Sequence, residues 1–142
     1  MQAAYGEQVE FLVVYIKEAH ALDGSSPMGG GDNPIVEEPA TLEERAEVAT
    51  MCSTQLDMSP LRVLIDDMQN TAEEAYQGWP DRLYLVDVDG TIAYAGGRGP
   101  FDFKPNQLED AIRVELELPP IEREEEEAER GRGRGRRERE RP

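Results

Sequence analysis

The stretch Val9 to Ile16, VEFLVVYI, constrains this chain more than any other. Its apolar residues run unbroken from Phe11 to Ile16. A strand that is apolar on consecutive residues has two faces to bury, so the run predicts a parallel strand covered on both sides. A parallel partner needs a long crossover, and the chain supplies a helical one. Thr41-Leu42-Glu43-Glu44 has capping-box spacing, with Glu44 three residues after the cap. Leu42, Ala46, Ala49, Cys52 and Leu56 then recur at helical spacing and predict the inner stripe. Ser59-Pro60 breaks the chain, and Leu61 to Ile65 reads as the second strand.

Downstream, Asn70 with Glu73 reads as the cap of a short helix carrying Ala72, Ala75 and Tyr76. Leu83 to Val86 and Thr91 to Ala95 read as strands joined by a two-residue turn at Asp89-Gly90. Pro105 suits the first turn of a last helix whose stripe is Leu108, Ala111, Ile112 and Leu116. Pro119-Pro120 ends it. The order β, α, β, short α, β-hairpin, α predicts an α/β fold. A βαβ unit followed by a hairpin and a closing helix is most of a thioredoxin-like fold. What such a fold would still need is a central first strand between Val9–Ile16 and Leu83–Val86. Without it two apolar strands face a gap, and each buried unpaired backbone group costs ~1–3 kcal/mol. A second copy of the chain completing the sheet is one remedy.

The 142 residues divide into one domain, 1–118, and a low-complexity tail, 119–142. The tail is rich in Glu, Arg and Gly, cannot bury apolar surface, and is expected to be disordered. Its charges cancel. The formal net charge of −16 therefore belongs to residues 1–120, which hold 23 acidic and 7 basic side chains. Such a surface repels nucleic acid and anionic membrane, which sets both aside as partners. It also repels itself, so stability should rise with salt. No apolar run approaches the ~20 residues of a membrane span, and no basic-then-apolar leader opens the chain. A cytoplasmic protein is the expectation. One cysteine excludes an internal disulfide, and one histidine without a cysteine pair argues against zinc, so no metal and no cofactor are expected.

Two motifs bear on chemistry. YIKEAH, Tyr15 to His20, holds the chain's only histidine two residues after Glu18. In an extended segment that spacing puts both side chains on one side. A carboxylate beside an imidazole is a proton-handling pair. The second motif, Gly29-Gly30-Gly31, lacks the Lys-Ser/Thr of a phosphate loop and reads as part of a plain loop over residues 21–40. Cys52 lies in the helical stripe and reads as a small, buried, inert hydrophobe.

YIKEAH with Asp23-Gly24, LIDDMQN (Leu64 to Asn70), Tyr76, PDRLYLVD (Pro80 to Asp87) and IAYAGGRGPF (Ile92 to Phe101) together resemble the iodothyronine deiodinases and their bacterial relatives. A closing Pro-x-x-Leu-Glu at Pro105 to Glu109 continues the match, which runs in register over about residues 5–117. The resemblance implies a thioredoxin fold and an oxidoreductase that performs reductive dehalogenation or general thiol redox chemistry. It implies that Tyr15, Glu18 and His20 supply and relay the proton that replaces the halogen, and that Arg98 holds the polar end of the substrate. Guanidinium suits a carboxylate or phenolate. The implied partners are a small-molecule substrate and a thiol reductant. The family's cysteine or selenocysteine nucleophile lies on a turn ahead of the YIKEAH strand, and no residue of this sequence corresponds to it. Ser25 stands where the family usually has Trp. Pro39 stands where the animal enzymes have a second histidine that helps hold the hormone. A non-catalytic thioredoxin-like binding domain, or an inactive fragment, is the alternative reading.

Overall fold

The computed structural model of the protein describes residues 1–28 and 35–123. Gly29-Gly30-Gly31 and residues 124–142 of the expected tail lie outside the described residues. The elements follow the order α1 (Gln2–Tyr5), β1 (Leu12–Tyr15), α2 (Leu42–Gln55), β2 (Arg62–Ile65), α3 (Thr71–Tyr76), β3 (Tyr84–Val86), β4 (Ile92–Ala95) and α4 (Pro105–Glu115). The architecture is mixed α/β with two separate two-stranded sheets.

In the first sheet β1 and β2 are parallel, with Leu12 opposite Arg62 and Tyr15 opposite Ile65. The crossover is α2. Its capping box forms as its sequence requires: the Glu44 amide donates to Thr41 Oγ1, and the Thr41 amide donates to the Glu44 carboxylate. The inner face of α2 differs from the predicted stripe. Leu42 and Leu56 are exposed, Ala46 and Cys52 are partly covered, and the buried positions are Arg45 and Ala49. The predicted two-sided burial of β1 is also not seen. Leu12 and Val14 remain 48% and 45% exposed, alternating with the half-buried Val13 and Tyr15, so one face of the strand is more covered than the other.

In the second sheet β3 and β4 are antiparallel. Their connection has three residues rather than two. The Gly90 amide donates to the Asp87 carbonyl at 2.9 Å, and the Asp87 amide donates to the Thr91 carbonyl at 2.8 Å. Gly90 takes φ +88°, which spares any side chain the left-handed penalty at the end of such a turn. α4 packs on this hairpin through Leu108 and Ile112, with Pro105 at its start and the predicted stripe inward. Tyr5 and Leu85 complete that core. The Tyr5 hydroxyl donates to Glu109 Oε1 and accepts from Arg113 Nη1, both at 3.0 Å, so α1 is bolted to α4. Beyond α4, Pro119 and Arg123 run back along it. The Pro119 carbonyl accepts from Arg113, and Arg123 pairs with Asp110 and Glu109.

α3 is capped differently from expectation. Asn70 makes no side-chain cap. The Asp66 carboxylate takes the amides of Asp67, Ala72 and Glu73, and Asp67 takes that of Thr71. Ala75 and Tyr76 face outward, and Glu73 is the buried residue of this helix.

Candidate active site

β1 ends at Tyr15, and the chain then leaves the extended path. Glu18 and His20 are therefore not laid side by side by a pleat, and no hydrogen bond joins them among the described residues. They turn to separate partners. The Glu18 amide donates to Glu38 Oε2 at 2.9 Å. His20 Nδ1 lies 2.9 Å from the Ser26 carbonyl oxygen. A carbonyl only accepts, so Nδ1 carries the hydrogen, and Nε2 is the nitrogen left to give or take a proton. His20 is exposed while Glu18 is half-buried. The two still feel each other electrostatically. Burial, then the nearby Glu38 charge, push the Glu18 carboxyl above its ordinary 4.5, while His20 and Arg45 oppose the shift.

The segment after β1 is tied down from several sides. Lys17 Nζ sits 3.0 Å from Glu73 Oε2 of α3. The Leu22 amide donates to the Val36 carbonyl at 2.8 Å, and the Glu38 amide donates to Asp23 Oδ1 at 2.9 Å. Ala21 and Val36 are buried beneath this double strand of loop. Tyr15 contributes a buried hydroxyl with no hydrogen-bond partner among the described residues.

Two residues that the sequence reading passed over hold this region together. Arg45 is 2% exposed. Its Nη1 donates to the Asp67 carbonyl at 2.7 Å, to Asn70 Oδ1 at 3.0 Å and to the Asp66 carbonyl at 3.5 Å. Its Nη2 pairs with Glu38 Oε1 at 3.4 Å. The available signal was a charge four residues before Ala49, on the same face of α2.

Cys52 shares that face but is partly exposed, not buried as predicted. Burial, then the Glu18 charge, raise its thiol above the ordinary 9.0. It is therefore a protonated thiol at neutral pH and a poor nucleophile.

Arg98 stands elsewhere, on the turn after β4. It is exposed, and its guanidinium makes no hydrogen bond or salt bridge among the described residues. Nothing joins it directly to Tyr15, Glu18 or His20. Its neighbour Gly99 donates to the Asp81 carbonyl at 3.0 Å, and any side chain added at Gly99 would strike the Asp81 carboxylate. Two shallow depressions, one along the outer face of α2 and one between Gln2–Phe11 and Pro60–Arg62, are lined by none of the four predicted site residues. Among the described residues no group of three acidic, His or Cys side chains could hold a metal ion. No helix of the described residues is long and apolar enough to cross a membrane.

A family profile described as iodothyronine deiodinase matches residues 2–117. The chain belongs to the iodothyronine deiodinase family. Over 105 residues it is 35% identical to the thyroxine 5-deiodinase of Homo sapiens, covering 73% of this chain and 33% of that protein. It is 34% identical to the thyroxine 5-deiodinase of Rattus norvegicus over the same length and shares. It is 35% identical to that of Sparus aurata over 107 residues, 75% of this chain and 38% of that protein. The chain thus spans about a third of the length of these relatives.

Proposed function

We propose that residues 1–118 carry the proton-handling part of a deiodinase-like site on a thioredoxin-like fold, with 119–142 as an appended tail. The observation that carries this reading is His20. The chain's only imidazole sits exposed in the loop that follows a parallel strand, with Nδ1 committed to Ser26 and Nε2 open. A half-buried carboxyl, held above its ordinary value chiefly by burial, lies two residues away. In this reading a thiolate or selenolate takes the halogen from a small halogenated substrate, and the electrons of the broken bond stay on carbon. The carbon takes a proton from His20; two external thiols then displace the halogen as halide, return the nucleophile to its reduced form and leave as a disulfide. Glu18 and Tyr15 relay the replacement proton. Arg98 pairs with an anionic group of the substrate. General thiol redox chemistry uses the same parts without a halogen.

The nucleophile in this reading comes from a segment other than residues 1–142, since Cys52 is the only thiol and is held protonated. A strand inserted between β1 and β3 would also join the two sheets into one. That among the described residues β1 pairs only with β2, and β3 only with β4, supports it. A strand from a second copy is the other source. One cysteine with no internal disulfide suits a reducing compartment, the cytoplasm. Ser25 and Pro39 differ from the hormone enzymes, so the substrate is proposed only as a small halogenated or disulfide-forming molecule.

The test joins the chain to a strand-turn-helix bearing a reactive Cys. Thiol-dependent dehalogenation or peroxide reduction should appear there and be absent from residues 1–142 alone. His20→Ala or Glu18→Ala in the joined form should lower the rate by ~10²–10⁴-fold, the usual worth of general acid–base help. Full activity of the His20→Ala form would overturn the assignment.

A further inference from the structure

We propose that Arg45 is a positioning residue that sets the Glu18–His20 segment through Glu38. The inference rests on the proton-handling role proposed above for that segment. Arg45 touches neither Glu18 nor His20 in any hydrogen bond; its charge reaches the Glu18 carboxyl through space, but to position the segment's backbone it must act through a second residue. Glu38 is that residue. One carboxylate oxygen, Oε1, faces Arg45 Nη2 at 3.4 Å, and the other, Oε2, accepts the Glu18 amide at 2.9 Å. The Glu38 amide in turn reaches Asp23 Oδ1, three residues past His20. A single residue therefore grips the segment on both sides of the histidine, through its carboxylate before it and its backbone amide after it.

The other end of the grip is rigid. Arg45 leaves α2, whose start is fixed by the Thr41–Glu44 capping box. Its Nη1 is held by the Asp66 and Asp67 carbonyls, just past β2, and by Asn70 at the start of α3, while Nε has no partner among the described residues. The planar fork can face two directions at once, which a lysine ammonium cannot do in the same way. Three elements thus fix the guanidinium, the guanidinium fixes Glu38, and Glu38 fixes the backbone that carries Glu18 and His20. The loop between them buries few apolar side chains, Ala21, Val36 and Pro39 among its described residues, so polar contacts carry much of its placement. A lone charge taken 98% out of water to meet carbonyls and one carboxylate is costly unless geometry repays it. Positioning of the segment is the geometry it supplies.

The experiment uses the full chain, in which His20 gives the single set of imidazole ring resonances in a proton NMR spectrum. Glu38→Ala cuts the link and leaves Arg45 its three other acceptors, so the fold survives. This variant should move the His20 ring resonances and speed exchange of the Glu18 amide by about tenfold, the worth of one charge-assisted hydrogen bond. Amides of the β3–β4 hairpin should be unchanged. Arg45→Met should move the same signals with Glu38 intact, and Arg45→Lys should restore them only in part. Unchanged His20 resonances in both Glu38→Ala and Arg45→Met would overturn the proposal, even if the Glu18 amide exchanged faster. Loss of dehalogenation in the joined form with these signals unmoved would count against positioning. Absence of activity from every form, with the signals moving as stated, would leave positioning standing and overturn the functional reading.

Discussion

The β1–β2 half and the β3–β4 half are built on opposite principles. Around β3, β4 and α4 the buried residues are Tyr5, Leu85, Leu108 and Ile112, an ordinary apolar core. Around β1, β2, α2 and α3 the buried set includes Arg45, Asp66 and Glu73, each engaged by hydrogen bonds or an ion pair, with only small apolar side chains between them. Apolar burial is tolerant of direction, whereas paired charges and capped amides hold only in one geometry. The half that carries the predicted proton-handling residues is the half fixed by directional contacts. A two-stranded sheet is marginal by itself, so each half depends on its helix, one through shape and the other through charge.

The largest effect that separates the halves is in the apolar one. Ile112 is 1% exposed, and Ile112→Ala should cost about 2–5 kcal/mol in urea unfolding. In the population still folded, the His20 ring resonances should stay where they were. If they move, the halves share one network and the contrast fails.

A smaller effect sharpens the polar half. The folded state raises the Glu18 carboxyl above its ordinary 4.5, chiefly through burial and then through Glu38. The folded chain therefore binds that proton more tightly than the unfolded one. The resulting stability is fully present below the unfolded value and is lost as pH rises through the folded value. Glu18→Gln should accordingly match the parent near pH 4 and exceed it near pH 7 in urea midpoint, because ionisation no longer burdens the fold. A variant less stable than the parent at neutral pH would show that Glu18 is held by its charge rather than despite it.

The smallest effect lies at Cys52. After burial, the Glu18 charge is what holds its thiol up. Glu18→Gln should thus bring the thiol down and speed alkylation by iodoacetamide a few-fold at mildly alkaline pH. An unchanged rate would place Glu18 too far from α2 to matter.

These same differences explain what the sequence disclosed. α4 was legible because its stripe is apolar, regular and opened by Pro105, and burial follows that pattern directly. The βαβ crossover and the pairing of both sheets were legible for the same reason: capping box, apolar runs and turn residues all agreed. α2 misled because its inner face is centred on Arg45, and a periodicity count scores an arginine as solvent-facing. Leu42 and Leu56 fit the period but lie beyond the sheet that the helix covers. Asn70 looked like a cap, yet Arg45 engages its side chain and Asp66 caps the helix from before it. Glu38 carried no local signal at all, since its importance comes from two partners 7 and 20 residues away. Tyr15, Glu18 and His20 were found through a motif, but their geometry follows from loop contacts that no short-range pattern encodes.

Arg98 bears on how quickly an anion could arrive. Asp81 packs beneath Gly99 and Asp102 lies against Gly97, so both glycines beside Arg98 have a carboxylate neighbour, on a chain whose net charge is −16. On a chain of that net charge a single guanidinium attracts an anion chiefly at close range, where its own charge outweighs the overall negative field. An anionic ligand therefore reaches Arg98 against a repulsive potential. Added salt, which slows the meeting of most charged pairs, would make this encounter faster.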